Sequence, residues 1–390
     1  MTTRGLEVAD VIRAYGNHYQ QTHKLPLRQS RALQDIASCR TAVLGGHVDR
    51  CDACGHERIS YNSCRNRHCP KCGSLAKEQW LRARQKELLP VPYFHIVFTL
   101  PDDLNALVLV NQRVMYTLLF QAAAETLLQL GRERKHLGAE LGVVAVLHTW
   151  GQNLMDHPHV HCIVPGGGLS QDGTRWIASL ENFFIPVRVL SRVFRGKFLE
   201  QVKKAYCTRR IQCRGKASPL EARETFQKLL DRLYGKDWIV YAKQPFGGPE
   251  QVLAYLGRYT HRVALSNHRL VEMTDGKVSF RWRDYRDENK EKIMTLEADE
   301  FLRRFLLHIL PNGLCKIRYY GFLCNRKRTD HLDKCRTLLN APKPEVEQEE
   351  VTWQKVLLEL TGIDVLKCPS CHKGKMLNER TLQPQQHAPP

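Results

Sequence analysis

The sequence lacks the features of membrane and exported proteins. No apolar run approaches the ~20 residues that a membrane-spanning helix needs. The first residues, MTTRGLEVADVIRAYG, carry scattered charges and no apolar stretch of the kind found in a signal peptide. A GxxxxGKS/T loop is also missing, so we expect no helicase domain within the chain. These absences predict a cytoplasmic protein that has no membrane partner.

Acidic residues are few for the number of basic ones. The 390 residues include 59 Lys and Arg against 40 Asp and Glu, which gives a formal net charge of +19. The excess is spread along the chain, as is typical of proteins that bind a polyanion and release its counterions. The composition therefore predicts a nucleic-acid partner, although charge alone does not separate DNA from RNA.

The order of apolar and polar residues predicts how the chain is organised. Helical and strand periodicities are interspersed, with one hairpin signal at 269–283, which indicates an α+β fold with a largely antiparallel sheet. We expect a small helical, cysteine-rich domain at 1–89 and the main domain at 90–340. APKPEVEQEE at 341–350 has the composition of a linker, and a short helix with a CPSC tail follows at 351–390.

Cysteine spacing indicates zinc. Without an export signal, the 14 cysteines are not expected to form a disulfide framework. Two CxxC pairs separated by 14 residues can present four thiolates in a tetrahedron, which makes the N-terminal domain a zinc-binding one. The first-choice ligands of this structural Zn²⁺ are Cys51, Cys54, Cys69 and Cys72. Three further residues are candidates for an alternative Cys₃His set: Cys64, His68 and His47.

The C-terminal CPSC supplies half of another metal site. Cys368 and Cys371 have the spacing of one zinc knuckle. Cys335 or His331 could complete the site, and spacing does not decide between them.

The segment DHPHVHCIV predicts a strand that carries histidines. Side chains two residues apart project to the same face of a strand, so His159 and His161 can bind one divalent cation and leave open positions on it. His157 and His159 are an alternative pair, but Pro158 between them cannot donate to a sheet ladder.

A third ligand of this cation is expected from a neighbouring element. Gln152 follows the preceding strand and is the first choice, with His148 and His261 as alternatives. Asp156 is expected to hydrogen-bond an imidazole and orient it.

Tyr255 and Tyr259 lie on a helix that is predicted to begin at Pro249. Because they are four residues apart, both phenols share one helix face. A tyrosine can attack a phosphodiester, which gives a phosphotyrosine link and a 3′-hydroxyl. The link keeps the energy of the broken bond, so rejoining needs no ATP. Arg258 and Arg262 are expected to stabilise the developing charge.

Basic residues in two other segments suit contacts to DNA phosphates. Arg65 and Arg67 lie between the cysteines, and GFLCNRKR contains a second cluster. The DNA-binding candidates are Arg65, Arg67, Arg326, Lys327 and Arg328.

In combination, these segments resemble the HUH-type, two-tyrosine transposases of rolling-circle insertion sequences, the insertion sequence 91 type. Three stretches carry the resemblance in order: CDACGHERISYNSCRNRHCPKCG, VLHTWGQNLMDHPHVHCIVPGGG and YLGRYTHRVALSN. GFLCNRKR and the terminal CPSC also look like this family. The resemblance extends over about residues 35–375.

The resemblance implies an HUH endonuclease core, in which a central antiparallel sheet carries the histidine strand and the tyrosine helix packs beside the metal. It implies Mg²⁺ or Mn²⁺ at His159 and His161, Zn²⁺ at the N-terminal cysteines, and both Tyr255 and Tyr259 as nucleophiles. The implied activity is cleavage and rejoining of single-stranded DNA through a 5′-phosphotyrosine, which drives rolling-circle transposition.

The implied partners are the single-stranded ends of the protein's own mobile element and a target site. A host helicase and replication factors would supply strand unwinding, and the protein would be nucleoid-associated when bound to DNA. The sequence leaves the oligomeric state open.

Three other functions remain alternatives. A rolling-circle replication initiator or a relaxase uses the same chemistry at an origin. A zinc-finger DNA-binding protein without catalysis would not need the tyrosines. A metal-dependent hydrolase that activates water would form no covalent adduct with DNA.

Overall fold

The computed structural model describes residues 5–180, 185–243, 251, 257, 264–284, 287–342 and 352–385. Within these residues the chain forms a mixed α+β fold, in which helices cover a central antiparallel sheet. The predicted fold class is confirmed.

The N-terminal segment combines helices with a small sheet. Its elements are α1 (Val8–Thr22), α2 (Leu27–Ala37), β1 (Gly46–Cys51), β2 (Glu57–Tyr61) and α3 (Gly73–Gln85). α1 and α2 are amphipathic and bury apolar side chains at helical spacing, such as Val8, Ile12 and Leu33. β1 and β2 are antiparallel neighbours.

The middle of the chain supplies most of the central sheet and the helices beneath it. Its elements are β3 (Tyr93–Thr99), α4 (Asn105–Val110), α5 (Gln112–Arg132), β4 (Gly142–Trp150), β5 (Asp156–Pro165), β6 (Gly167–Leu169), β7 (Trp176–Ala178), α6 (Val187–Cys207), α7 (Arg223–Gly235) and β8 (Val240–Lys243).

The last part of the chain adds a three-stranded meander, one central strand and the tail. Its elements are β9 (Leu270–Thr274), β10 (Lys277–Asp284), β11 (Lys290–Glu297), α8 (Ala298–Leu307), β12 (Ile317–Gly321), α9 (Arg328–Leu338), α10 (Trp353–Thr361) and β13 (Met376–Leu382). β9 and β10 confirm the predicted hairpin, whereas β11 was not predicted.

The central sheet has the order β12-β4-β5-β3-β8, and all its neighbours are antiparallel. On one face, alternate residues such as Phe98, Leu147 and Val160 form a core with α5 and α6. On the other face, Val146 and Ile163 pack against apolar residues of α3 and α9. Because strand side chains alternate, this second face also carries the histidines.

A second core joins the N-terminal helices to the meander. Side chains of α1 and α2 pack with Phe280 of β10 and with Phe301 and Phe305 of α8. The N-terminal segment is therefore packed against the rest of the protein. The domain boundaries at 89 and 340 stay predictions.

The C-terminal tail returns to the N-terminal sheet, because β13 pairs with β1 in antiparallel register. α10 lies against α3, where Glu359 forms an ion pair with Arg82. Among the described helices, none is both long and apolar enough to cross a membrane.

Candidate functional site

Three histidines meet on one face of the central sheet. His159 and His161 lie on β5, and His148 lies opposite His159 on β4. The nearest ring nitrogens of the three side chains all lie within 4.8 Å of one another. The alternation predicted for the HxH strand is therefore confirmed, while the role of these residues as metal ligands stays a prediction.

Hydrogen bonds to the ring nitrogens orient two of these imidazoles. His159 Nδ1 lies 2.7 Å from the carbonyl oxygen of His157, so Nδ1 carries the proton and donates it. This tautomer places the lone pair on Nε2, the atom that would coordinate a metal. His161 Nδ1 lies 2.8 Å from Nε2 of His95 on β3. Such partners fix the tautomer and ring orientation of metal-binding histidines.

Burial keeps His159 and His161 neutral. Desolvation, helped by the neighbouring His157, lowers the pKa of His159 to about 3. Burial also lowers the pKa of His161 well below its ordinary value, with further contributions from neighbouring imidazoles and from Lys316. Metal ions bind the neutral imidazole, so at physiological pH His159 and His161 are in the state that coordination requires.

Aromatic and cationic side chains form one wall of the cluster. β4 has a register shift between His148 and Trp150, whose rings are stacked with centroids 4.8 Å apart. Lys316 Nζ lies 5.0 Å above the Trp150 ring. Beneath the bulge, Thr149 Oγ1 lies 3.1 Å from His308 Nδ1. A β-bulge beside a site re-aims side chains, and Lys316 brings positive charge to this wall of the cluster.

The sequence leaves three candidates for the third ligand of the cation. The structure brings one of them, His148, into the histidine cluster. The first choice, Gln152, lies in the turn after β4, where its backbone carbonyl accepts a hydrogen bond of 2.6 Å from Arg269. Coordination by the Gln152 side chain stays a prediction. His95 and Lys316 were missed, because each is a single polar residue in an apolar strand or loop.

Asp156 does not have its expected role. Its position on β5 alternates with that of the histidines, so it faces the α5 side of the sheet. Neither carboxylate oxygen accepts a hydrogen bond from a described residue, so the expected bond to an imidazole is wrong within that part of the chain. Burial, followed by repulsion from Asp102, raises the pKa of Asp156 from 3.8 to about 7.

Asp156→Asn is expected to stabilise the protein at pH 8 by on the order of 2–4 kcal/mol, since one pKa unit corresponds to about 1.4 kcal/mol. The raised pKa means that the folded state bears the penalty of the buried charge above pH 7. This penalty shrinks as pH falls from 7 towards 3.8, and little of it remains at pH 4, where the folded state is protonated and the unfolded state is partly protonated. Urea unfolding at pH 8 and pH 4 measures the gain.

The matched control for this change is Asp275→Asn in the exposed turn between β9 and β10. It should leave stability nearly unchanged at both pH values. A gain from Asp156→Asn that is equal at pH 8 and pH 4 would contradict the electrostatic account.

Eight cysteines form two clusters and not one. The first cluster consists of Cys39, Cys64, Cys69 and Cys72. The second cluster consists of Cys51, Cys54, Cys368 and Cys371. In each cluster the sulfur atoms lie within 4.8 Å of one another. The predicted set of Cys51, Cys54, Cys69 and Cys72 is therefore wrong, because its two CxxC pairs belong to different clusters.

Strand and helix positions explain this regrouping. β1 ends at Cys51 and pairs with β13, which brings the C-terminal CPSC alongside. Cys39, just after α2, lies 3.5 Å from Cys72 between sulfur atoms and completes the other cluster together with Cys64. Cys39 had no CxxC partner in the sequence to signal it.

Several spare ligand candidates have other partners. His68, a candidate extra zinc ligand, lies outside both cysteine clusters, and its Nε2 accepts a hydrogen bond of 3.1 Å from the Leu310 N–H. His47 Nε2 lies 3.6 Å from an Asp49 oxygen. The two residues proposed to complete the CPSC site, Cys335 and His331, lie on α9 outside both cysteine clusters.

The predicted DNA-binding residues differ in their surroundings. Arg67 donates to the backbone oxygens of Leu314 and Pro311, at 2.7 and 2.9 Å. Arg328 stacks on Tyr319 with a distance of 4.7 Å to the ring centre, whereas Arg326, Lys327 and Arg65 are exposed. Their contacts with DNA stay predictions.

Within the segment YLGRY, the structure describes only Gly257. The predicted residues Tyr255, Arg258, Tyr259 and Arg262, and the alternative ligand His261, lie outside the described residues. Gly257 is buried, and a Cβ added to it would lie 2.6 Å from Leu81 and 3.1 Å from Lys77 of α3. Since α3 also packs on the histidine face of the sheet, Gly257 lies next to the helix that covers that face.

Comparisons with known proteins point in one direction. A family model described as "Transposase zinc-binding domain" matches residues 11–100, and one described as "Putative transposase" matches residues 142–330. The chain is 53% identical over 380 residues to "Putative transposase y4qJ" of Sinorhizobium fredii, covering 97% of this chain and 96% of the relative.

A more distant relative carries a similar name. The chain is 28% identical over 354 residues to "Transposase for insertion sequence element IS801" of Pseudomonas savastanoi pv. phaseolicola. This match covers 86% of the chain and 80% of the relative. No solved structure matches the chain.

Proposed function

Since the chain belongs to the zinc-binding DNA transposases of the insertion sequence 91 type, we propose that it cleaves and rejoins single-stranded DNA through a 5′-phosphotyrosine, with a divalent cation at the histidine cluster. The observation that carries this proposal is the meeting of His148, His159 and His161 on the sheet face that α3 covers, the helix against which Gly257 packs. The relatives named as transposases favour this activity over an origin-specific initiator and over a protein without catalysis.

The histidine cluster fits a catalytic cation. Three imidazoles on two neighbouring strands supply one face of a coordination shell and leave the other face for substrate. When bound there, Mg²⁺ or Mn²⁺ would polarise the scissile phosphate. His95 would hold His161 in the orientation for coordination, and Lys316 would add positive charge to the rim of the site.

Tyr255 or Tyr259 would carry out the covalent step. The phenolic oxygen attacks phosphorus, the bond to the 3′ oxygen breaks, and the strand leaves with a 3′-hydroxyl once that oxygen is protonated. A 3′-hydroxyl of another strand reverses the step and releases the tyrosine. Arg258 and Arg262 would stabilise the negative charge of the transition state. Two tyrosines would allow two strand ends to be held in turn.

A basic groove suits the DNA strand. Two adjoining pockets of about 400 and 510 Å³ share Arg28 and Asn312 in their walls. The arginines that line this groove, called the arginine groove, are Arg28, Arg31, Arg67, Arg113 and Arg210. Among the described residues lining it, Asp35 is the only acid. The charge of Lys316 contributes to lowering the pKa of both His68, which lines the groove, and His161.

Replacing Arg31, Arg113 and Arg210 by Gln is expected to weaken binding of a single-stranded oligonucleotide. Each phosphate contact on single strands contributes about 0.7 to the slope of log K against log salt, so the slope should fall by about 2. Fluorescence anisotropy at several salt concentrations measures the slope.

A matched triple substitution controls for the loss of net charge. Lys277, Arg281 and Lys290 on the meander are partnered by Glu297, Glu291 and Asp287. Their replacement by Gln should change the slope by less than the groove variant does. An equal change of the salt slope in the two variants would contradict binding of the DNA strand in the arginine groove.

The covalent step has its own assay. The protein is incubated with Mn²⁺ and labelled single-stranded oligonucleotides from the ends of its own element. We expect an SDS-resistant protein–DNA adduct. Cleavage without an adduct would indicate a hydrolase that uses activated water.

A further inference from the structure

The second cysteine cluster joins the two ends of the chain. Cys51 is the last residue of β1 and Cys54 follows it, whereas Cys368 and Cys371 precede β13. Sulfur–sulfur distances are 3.7 Å from Cys51 to Cys371 and 3.7 Å from Cys54 to Cys368. A disulfide needs about 2.05 Å. Four sulfurs at about 2.3 Å from one zinc lie about 3.8 Å apart, which matches the observed spacing.

The backbone around the sulfurs has the form of two knuckles. The N–H groups of Ala53 and Cys54 point to Cys51 Sγ at 3.4 and 3.5 Å, and the Gly374 N–H points to Cys371 Sγ at 3.4 Å. Amide donors of this kind favour the thiolate, the form that binds zinc. The two knuckles therefore present four sulfurs that are prepared for a cation.

Close packing keeps the two knuckles together. A Cβ on Gly374 would lie 2.4 Å from Cys51 Sγ, so only glycine allows this approach. The Lys375 N–H donates to Asp52 Oδ1 at 2.8 Å, and the Asp52 N–H donates to the Lys375 carbonyl at 3.1 Å. The two segments, which are more than 300 residues apart in the sequence, are therefore closely packed and joined by hydrogen bonds.

We propose that Cys51, Cys54, Cys368 and Cys371 bind a second zinc ion, which fastens the C-terminal tail to the N-terminal sheet. The matched zinc-binding family segment, residues 11–100, includes the whole of the first cluster but neither Cys368 nor Cys371. The protein therefore holds two structural zinc ions, one within the N-terminal segment and one between the ends of the chain.

The second zinc also has a structural link to the tyrosine segment. The tail that it fastens includes α10, which packs on α3 and forms the ion pair between Glu359 and Arg82. α3 in turn carries Leu81, the side chain against Gly257. Loss of the second zinc is therefore expected to release the tail first and to disturb α3, the helix against which Gly257 packs.

Zinc stoichiometry tests this proposal without reference to DNA cleavage. Native mass spectrometry of the full chain should show two zinc ions, and X-ray absorption should show four sulfurs around zinc at about 2.3 Å. Cys368→Ser with Cys371→Ser should retain one zinc and should speed trypsin cleavage after Lys367, Lys373 and Lys375, which are exposed but lie in backbone that the two knuckles hold folded. Cys207→Ser with Cys315→Ser, two exposed cysteines outside both clusters, should retain two.

Either of two results would overturn the second site. One is a wild-type protein with a single zinc ion, and the other is a Cys368→Ser, Cys371→Ser variant that still holds two. The wild-type count decides the question even if that variant fails to fold. Failure of DNA cleavage would leave the zinc count unchanged, so the two proposals fail separately.

Discussion

Replacing both Tyr255 and Tyr259 by phenylalanine is expected to abolish the SDS-resistant adduct and to lower strand cleavage by a factor on the order of 10³ or more, because only binding and electrostatic stabilisation then remain. Phenylalanine keeps the ring and removes only the attacking oxygen. Binding of the oligonucleotide should therefore remain close to that of the wild type. A gel assay of adduct formation and an anisotropy assay of binding measure the two effects separately.

Single variants separate the roles of the two tyrosines in cleavage and strand transfer. If the two act in turn, Tyr255→Phe and Tyr259→Phe should each form an adduct on one strand end and fail to complete strand transfer. Tyr234→Phe, at a half-exposed residue on α7, is the matched control and should behave as the wild type. An adduct that persists in the double variant would show that neither tyrosine is the nucleophile.

His161→Ala is expected to abolish metal-dependent cleavage. Loss of a residue that hydrogen-bonds a metal ligand lowers metal affinity 10- to 100-fold. Loss of a ligand itself should therefore weaken Mn²⁺ binding by at least about 100-fold. Electron paramagnetic resonance of free Mn²⁺ measures this affinity in the absence of DNA. Since neither cysteine cluster includes His161, the zinc content should not change.

Two further variants identify the third ligand. His148→Ala should reduce Mn²⁺ affinity about as much as His161→Ala, whereas Gln152→Ala should have the smaller effect. The opposite order would assign the third ligand to Gln152. Unchanged Mn²⁺ affinity in both His161→Ala and His148→Ala would contradict a metal site at the histidine cluster.

Periodicity predicted the sheet that carries the site. The strand segments PYFHIVFTLP, GVVAVLHTWG and HVHCIV have apolar residues on the face covered by α5 and α6, and they became β3, β4 and β5. The approach of His159 and His161 follows from this alternation alone. β11 was missed because its sequence, KEKIMTLE, forms a largely exposed strand whose charges conceal the pattern.

Contacts between distant segments could not be read from spacing. A CxxC motif specifies a local knuckle, but the choice of partner knuckle depends on whether β1 pairs with β13. The role of His95 likewise depends on the register of β3 against β5, which brings it diagonally next to His161. For the same reason, the sequence offered three candidates for the third ligand and no means of choosing among them.

Mass spectrometry of the DNA-linked peptide tests the central claim most directly. Arg258 lies between the tyrosines, so trypsin places Tyr255 in QPFGGPEQVLAYLGR and Tyr259 in YTHR. After reaction with Mn²⁺ and a single-stranded element end, followed by nuclease trimming, we expect a 5′-phosphonucleotide on one or both of these peptides. A nucleotide on any other residue, or cleaved DNA with no modified peptide, would contradict the account.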